Sequence, residues 1–548
     1  MIPHFPFSIT TSPALRMLQD RENDFVHARD ASMALPPQGR PAKRLVVFCD
    51  GTWVGRETAV DDAPPSNIRQ LADMVGTVQY DASDVTAAKV HRIQPHKSAA
   101  SGRTPDIVAG YQEGVGLNKN FMQYIWDGAT ASSISEECIA VYKFIVDHYT
   151  HDHEIWLFGF SRGAFTVRCI AGMINNCGII KRRPEYAEEE VKRLCYDIFR
   201  TYRSSLPVDA PKSDECQRWK GLHDRVWQVK RPIRFMGIID TVGALGIPRL
   251  SAGIGFDWSP FEFFDQSVSS VVQHCYHAPC LHDRLWTFQP CLVSASEDAD
   301  DDDDEPRARI TQKWFPGTHY DVGRMTFRFV RQSPTNWIED ALGWLPNLLS
   351  RTIYPNQVLS DAVLRWMVES VHAVDEDSPN PIMPAAQEWI QYIGERLGTA
   401  AQSPSPSDQQ HLRTGSGDIY GDVLAYAPGG VVYSTLQKTS QAATSVLNSV
   451  FPRLGDNIQS ILGIRTLIAI LTNTADRRIP GTQADIYPYT QQETVMVKGE
   501  RVVFSVEQLG QMKDMNERGV ARYPSQSFES FLLWKGVFGK KETNGYRG

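Results

Sequence analysis

Three side chains of this sequence could together perform acyl transfer: Ser161, Asp240 and His319. Ser161 sits in Gly159-Phe160-Ser161-Arg162-Gly163, a Gly-x-Ser-x-Gly pattern between an apolar run, Ile155–Phe158, and a helical one opening at Ala164. A serine at the tip of a strand-to-helix turn is strained, and glycines on both sides let the strand and helix come close. A hydroxyl is a poor nucleophile until a base takes its proton, and that base needs an acid to hold its tautomer. Asp240 ends the apolar run Pro232–Ile239 and fits the acid; an aspartate capping a turn is the plainer reading. His319 follows the run Arg309–Phe315 on a Pro-Gly loop and fits the base, whereas His274, His277 and His282 read as helical.

An oxyanion forming at the attacked carbonyl needs amide donors. The amide of Arg162, just after the serine, is one candidate. The loop Asp50-Gly51-Thr52-Trp53 could give a second, with Gly51 and Thr52 as donors and Asp50 as a support. Asp321, beside the histidine, is read as a further support. The cluster His274, Cys275, His277, Cys280, His282 matches no common zinc spacing, so no metal is expected. Gly114-Val115-Gly116 lacks the third glycine of a dinucleotide fingerprint, and no cofactor is expected.

These residues need a scaffold of strands that end at one edge. Leu45–Cys49, Ile155–Phe158 and Pro232–Ile239 read as buried strands, and 134–149 and 164–174 as helices covering them. The pattern predicts an α/β fold with a mainly parallel central sheet flanked by helices. Residues 1–43 read as a flexible tail and 44–395 as the catalytic domain, carrying an acidic loop at 292–308 and a lid-like insertion at 325–354. Residues 396–418 read as a Ser/Pro/Gly-rich linker, and 419–548 as a mostly helical extension that packs on or caps the core.

The chain resembles the domain-of-unknown-function family of alpha/beta hydrolases typified by the catalytic domains of type VI secretion phospholipase effectors. The resemblance rests on LVVFCDGTW (45–53), SNIRQL (66–71), YQEGVG (111–116), LFGFSRGAFTVRCIAGMI (157–174), IDTVGALG (239–246), WFPGTHYDVG (314–323) and LSDAVLRWM (359–367). It implies an alpha/beta-hydrolase fold, the same Ser161, Asp240 and His319 triad, and hydrolysis of esters, phospholipids among them. Two stretches depart from the family pattern. After Gly323 the chain continues Arg324-Met325 where a glycine pair is usual, and HAPCLHDRL (277–285) has His282 where the family has an aspartate.

Composition narrows the classes further. The chain has 548 residues with 42% hydrophobic and 22% charged, the balance of a globular protein. The eight acids of 297–305 account for the formal charge of -8, which leaves a neutral body without the basic stripe nucleic-acid binding requires. Ile458–Leu471, the most apolar stretch of the C-terminal region, is too short to cross a bilayer. Nine cysteines without a CxxC pair, and an N-terminus without a basic and apolar leader, point to a reducing, cytoplasmic setting. The expected reaction is cleavage of a carboxylic ester, with a lipid or other ester as partner and peripheral membrane contact as an open option. Protein partners are not legible. The other readings are a small-molecule carboxylesterase and a non-catalytic scaffold on the same fold.

Overall fold

A computed structural model describes residues 43–402 and 493–504 of the chain. The exceptions are 52–53, 55–64, 81–87, 98–105, 115–130, 205, 211, 243–266, 282, 284–289, 296–306, 316, 329–351, 354, 356 and 498. The N-terminal tail, the acid-rich part of the acidic loop, most of the lid-like insertion and the 458–471 segment therefore lie outside the described residues.

Among the described residues, eight strands form the main sheet: β1 (Lys43–Cys49), β2 (Gly76–Gln79), β3 (Val90–Pro95), β4 (Ile107–Gln112), β5 (His153–Phe160), β6 (Ile233–Ile239), β8 (Val272–Ala278) and β10 (Arg309–Gln312). Their order is β10-β8-β6-β5-β1-β4-β3-β2. The six from β10 to β4 run parallel, while β3 is antiparallel to both of its neighbours. Short pairs are made by β7 (Ser267–Val268) with β9 (Ser294–Ala295), and by β11 (Phe327–Arg328) with β12 (Thr352–Ile353). The second pair brings the two ends of the 325–354 insertion together.

Parallel strands need both faces covered, and side chains alternate between faces along each strand. Val46, Phe48, Trp156 and Phe158 pack against α1 (Asn67–Val75), α7 (Gln357–Asp375) and α8 (Ala386–Gln402). Leu45, Val47, Ile155 and Leu157 point the other way. They pack with α2 (Ala131–His148), α3 (Arg162–Cys177), α4 (Glu188–Arg203) and α5 (Asp214–Lys220). The result is three layers with an apolar core on each side of the sheet. Stacked rings run across one face, with centroids 4.8 Å apart for Phe48 and Phe158, and 5.2 Å for Phe235 and Tyr276.

Several expectations need correction. Residues 272–278 form a strand, not a helix, so His274 and His277 lie in the sheet. The expected linker at 396–418 begins inside α8, which continues to Gln402. In the C-terminal region the described elements are strands: β13 (Glu493–Val497) and β14 (Glu500–Phe504) make an antiparallel hairpin against α8. The histidine loop closes into a short helix, α6 (His319–Gly323), with His319 as its first residue.

Candidate active site

Register sets the site. Cys49 lies opposite Gly159, Gly159 opposite Ile238, and Ile239 opposite Ala278, so the parallel strands β1, β5, β6 and β8 end at one edge. The ladder continues one step beyond the strands: Ser161 N–H donates to Ile239 O at 3.0 Å, and Asp240 N–H donates to Ala278 O at 3.0 Å. Both residues then turn sharply, with φ of 55° at Ser161 and 39° at Asp240, a left-handed region that side chains avoid. The elbow glycines are sterically required. A Cβ on Gly159 would stand 2.5 Å from Gly163 O, and one on Gly163 would stand 2.1 Å from Cys49 O.

The structure brings Ser161, Asp240 and His319 together, though they come from three distant parts of the chain. His319 Nε2 is 2.8 Å from Ser161 Oγ, and His319 Nδ1 is 2.6 Å from Asp240 Oδ2. Exposure is 3% for Ser161, 1% for His319 and 0% for Asp240, so these hydrogen bonds are made away from bulk water, where they are electrostatically stronger. The Phe160 ring stacks on the imidazole at 4.7 Å. Asp240 also accepts the Cys280 N–H at 2.9 Å, and the Cys280 thiol lies 3.4 Å from its other oxygen.

The supporting residues divide by what they hold. Thr318 and Asp321 form a capping box at the start of α6, with the Thr318 N–H donating to Asp321 Oδ2 at 2.8 Å. Asn67 Nδ2 donates to Val322 O at 2.8 Å and to Ser360 O at 3.0 Å, which ties α6 to α1 and α7. Arg162 turns its buried guanidinium towards Glu137, 3.7 Å away, bracing the elbow against α2.

Asp50 accepts from the Gly51 N–H at 2.9 Å, from the Tyr111 hydroxyl at 2.7 Å and from the Ser66 hydroxyl. Burial outweighs these bonds and pushes its carboxyl up to about 6. Gly51 lies beside the serine, since a Cβ there would meet Phe160 at 2.5 Å and Ser161 Cβ at 3.1 Å. Its amide, however, is directed to Asp50, and Thr52 lies outside the described residues.

His274 and His277 take no part in this constellation. His277 Nδ1 pairs with Gln312 Oε1 at 2.9 Å and its Nε2 faces the Thr241 N–H at 3.4 Å. No group of three or more metal-ligating side chains occurs among the described residues. Sequence reasoning missed Ser66, Tyr111, Cys280 and Asp283. Ser66 carried a local signal: a serine ahead of an apolar helical pattern is a helix cap, and its hydroxyl accepts the Arg69 N–H at 2.9 Å.

Residues 43–370 match the family described as the T6SS phospholipase effector Tle1-like catalytic domain. The chain belongs to this family. An uncharacterized protein of Saccharomyces cerevisiae is 26% identical over 204 residues, 34% of this chain and 28% of that protein. This chain thus matches little more than a quarter of that relative's length. Among solved structures, the Tle1 effector bound to the VgrG spike of the type 6 secretion system aligns with TM-score 0.29 and 14% identity, covering 68% of this chain and 84% of that one. An uncharacterized protein from Pseudomonas aeruginosa aligns with TM-score 0.25 and 12% identity, over 91% of this chain and 68% of that one.

Proposed function

We propose that the chain is a serine hydrolase on an alpha/beta-hydrolase fold and that it cleaves carboxylic esters, with phospholipids as the substrate class. The observation that carries this reading is the unbroken hydrogen-bond chain from Ser161 Oγ through both nitrogens of His319 to Asp240. Family membership supports the choice of a lipid ester.

In this mechanism Ser161 Oγ attacks the ester carbonyl as His319 Nε2 takes its proton. Asp240, held by the Cys280 amide, keeps the proton of the imidazole on Nδ1 and stabilises the imidazolium. As the tetrahedral intermediate collapses, His319 returns the proton to the departing alcohol and an acyl group remains on Ser161. Water, deprotonated by the same nitrogen, then releases the fatty acid and restores the serine.

The first N–H groups of a helix point out of its end, so the amide of Arg162 at the start of α3 is assigned as one oxyanion donor. The Gly51 amide is engaged by Asp50, so the second donor is assigned to the Thr52 side of that loop. Gly51 then serves to let the chain pass close to the serine.

The test is labelling with a fluorophosphonate, followed by fatty-acid release from phosphatidylcholine vesicles. The wild type is expected to label and to release fatty acid, and Ser161→Ala and His319→Ala to lose about ten-thousandfold or more of the turnover. Full labelling of Ser161→Ala would sink the mechanism, and release from short soluble esters alone would sink the lipid assignment.

A further inference from the structure

The capping box accounts for two amides at the start of α6. The Thr318 N–H donates to Asp321, and the Thr318 side chain takes the amide of Asp321. It leaves over the amide of His319 itself, the first residue of the helix. A buried N–H must find an acceptor. It finds one outside the helix, where His319 N–H donates to Asp283 Oδ2 at 3.1 Å.

Asp283 is buried and belongs to the segment that leaves β8. That segment is fixed by the chain leading into α6, since Phe315 N–H donates to Pro279 O and Leu281 N–H to Phe315 O, both at 2.8 Å. The same few residues also hold the acid, through the Cys280 N–H on Asp240 Oδ1. Residues 280 and 283 therefore bracket the acid and the base, one on each.

We propose that Asp283 is a positioning residue for the hydrolysis: by accepting the His319 N–H, it fixes where the imidazole stands between Ser161 and Asp240. The inference rests on the serine-hydrolase reading above. His319 makes both of its imidazole hydrogen bonds from a helix of only five residues, and a helix that short does not hold its own end in place. A shift of about 1 Å in a group of this kind costs roughly a hundredfold in rate.

The experiment compares Asp283→Ala, Asp283→Asn and Asp283→Glu with wild type. It measures the fluorophosphonate labelling rate and, with p-nitrophenyl butyrate, kcat and KM. Near-ultraviolet circular dichroism reports the fold, and Ser161→Ala is the control.

Asn keeps an oxygen acceptor at the same place, so it is expected to label within about fivefold of wild type. Ala removes the acceptor and is expected to label about a hundredfold more slowly, the loss falling on kcat with KM within about threefold. Glu, which pushes the acceptor out by one carbon, is expected to fall between them. Wild-type labelling in a folded Ala variant, a loss carried by KM alone, or equal losses in Ala and Asn would overturn the role. If the Ala variant does not fold, Asn near wild type with Glu slowed supports it, and both at the wild-type rate overturns it. Full labelling of Ser161→Ala would instead remove the serine-hydrolase reading beneath it, so the two failures are distinct.

Discussion

Single residues carry the strain and the charge of this site. Ser161 holds its left-handed backbone only because Gly159 and Gly163 leave room for the elbow. Gly163→Ala is expected to push Cys49 and Asp50 away from the elbow, lower stability by about 3 kcal/mol and abolish fluorophosphonate labelling. Urea unfolding and the labelling assay check the two effects. Asp50 gives a pH signature. Its folded carboxyl titrates at about 6, above the usual carboxylate value near 4, because burial penalises the charge. The neutral form is thus the better tolerated in the fold, and the associated stability is fully present below about pH 4 and lost as pH rises through 6. Relative to Asp50→Asn, which has no such titration, the wild type should lose on the order of 2–3 kcal/mol between pH 4 and pH 8 in urea unfolding. An unchanged difference across that range would contradict it. Ser161, Asp240 and His319 were legible as candidates because each follows an apolar run at a turn, a local and readable pattern. Cys280 and Asp283 were not, because their roles depend on which strand lies beside β6, and 272–278 reads as helix until the sheet is seen.

At the scale of elements, α6 is the part most dependent on its surroundings. It ends at Arg324, whose φ of 55° is a conformation in which glycine would be unstrained. Arg324 instead reaches the buried Asp361 of α7, which Arg396 of α8 also contacts at 2.8 Å. Burial pushes the Asp361 carboxyl up and the Arg324 guanidinium down, so each ion depends on the other. Arg324→Ala is expected to cost about 3 kcal/mol, because it keeps the strained backbone and removes one cation from a buried carboxylate. Arg324→Gly should cost about 1 kcal/mol less by relieving the backbone, a difference that thermal unfolding would resolve. The helices α2 and α3 were legible from their helical pattern and β1, β5 and β6 from their apolar runs, whereas α4, α7 and α8 were not predicted as helices. The strands β2, β3 and β4 were not predicted, since they are four to six residues long and two of them lie in the antiparallel edge of the sheet. In α8, the sequence grows Ser- and Pro-rich from 403 on, and an expected boundary at 396 cut off the last helical turns.

The described body is a sheet with an apolar layer on each face. Ile170 of α3 belongs to one layer and Met367 of α7 to the other, and both are fully buried. Their alanine variants are each expected to cost about 3 kcal/mol, and the double variant their sum to within about 0.5 kcal/mol, because the two side chains belong to separate clusters on opposite faces of the sheet. A large coupling energy in chemical denaturation would show that the layers are not independent. Among the described residues no helix is long and apolar enough to cross a membrane.

One buried cation joins the two ends of this sheet-and-helix body. Arg44, the second residue of β1, donates to Asp375 Oδ1 at 3.1 Å and to Ser378 Oγ at 2.7 Å, and also contacts Glu154. Strand β1 is central and is among the first parts of the body to leave the ribosome, yet partners of its buried charge arrive more than three hundred residues later. The carboxylate of Glu154 can reach Arg44 as soon as β5 has emerged, whereas Asp375 and Ser378 complete its surroundings only after α7. The family match stops at 370, short of both late partners. A chain ended there would keep every proposed triad residue and still lack the latch that closes the body around them.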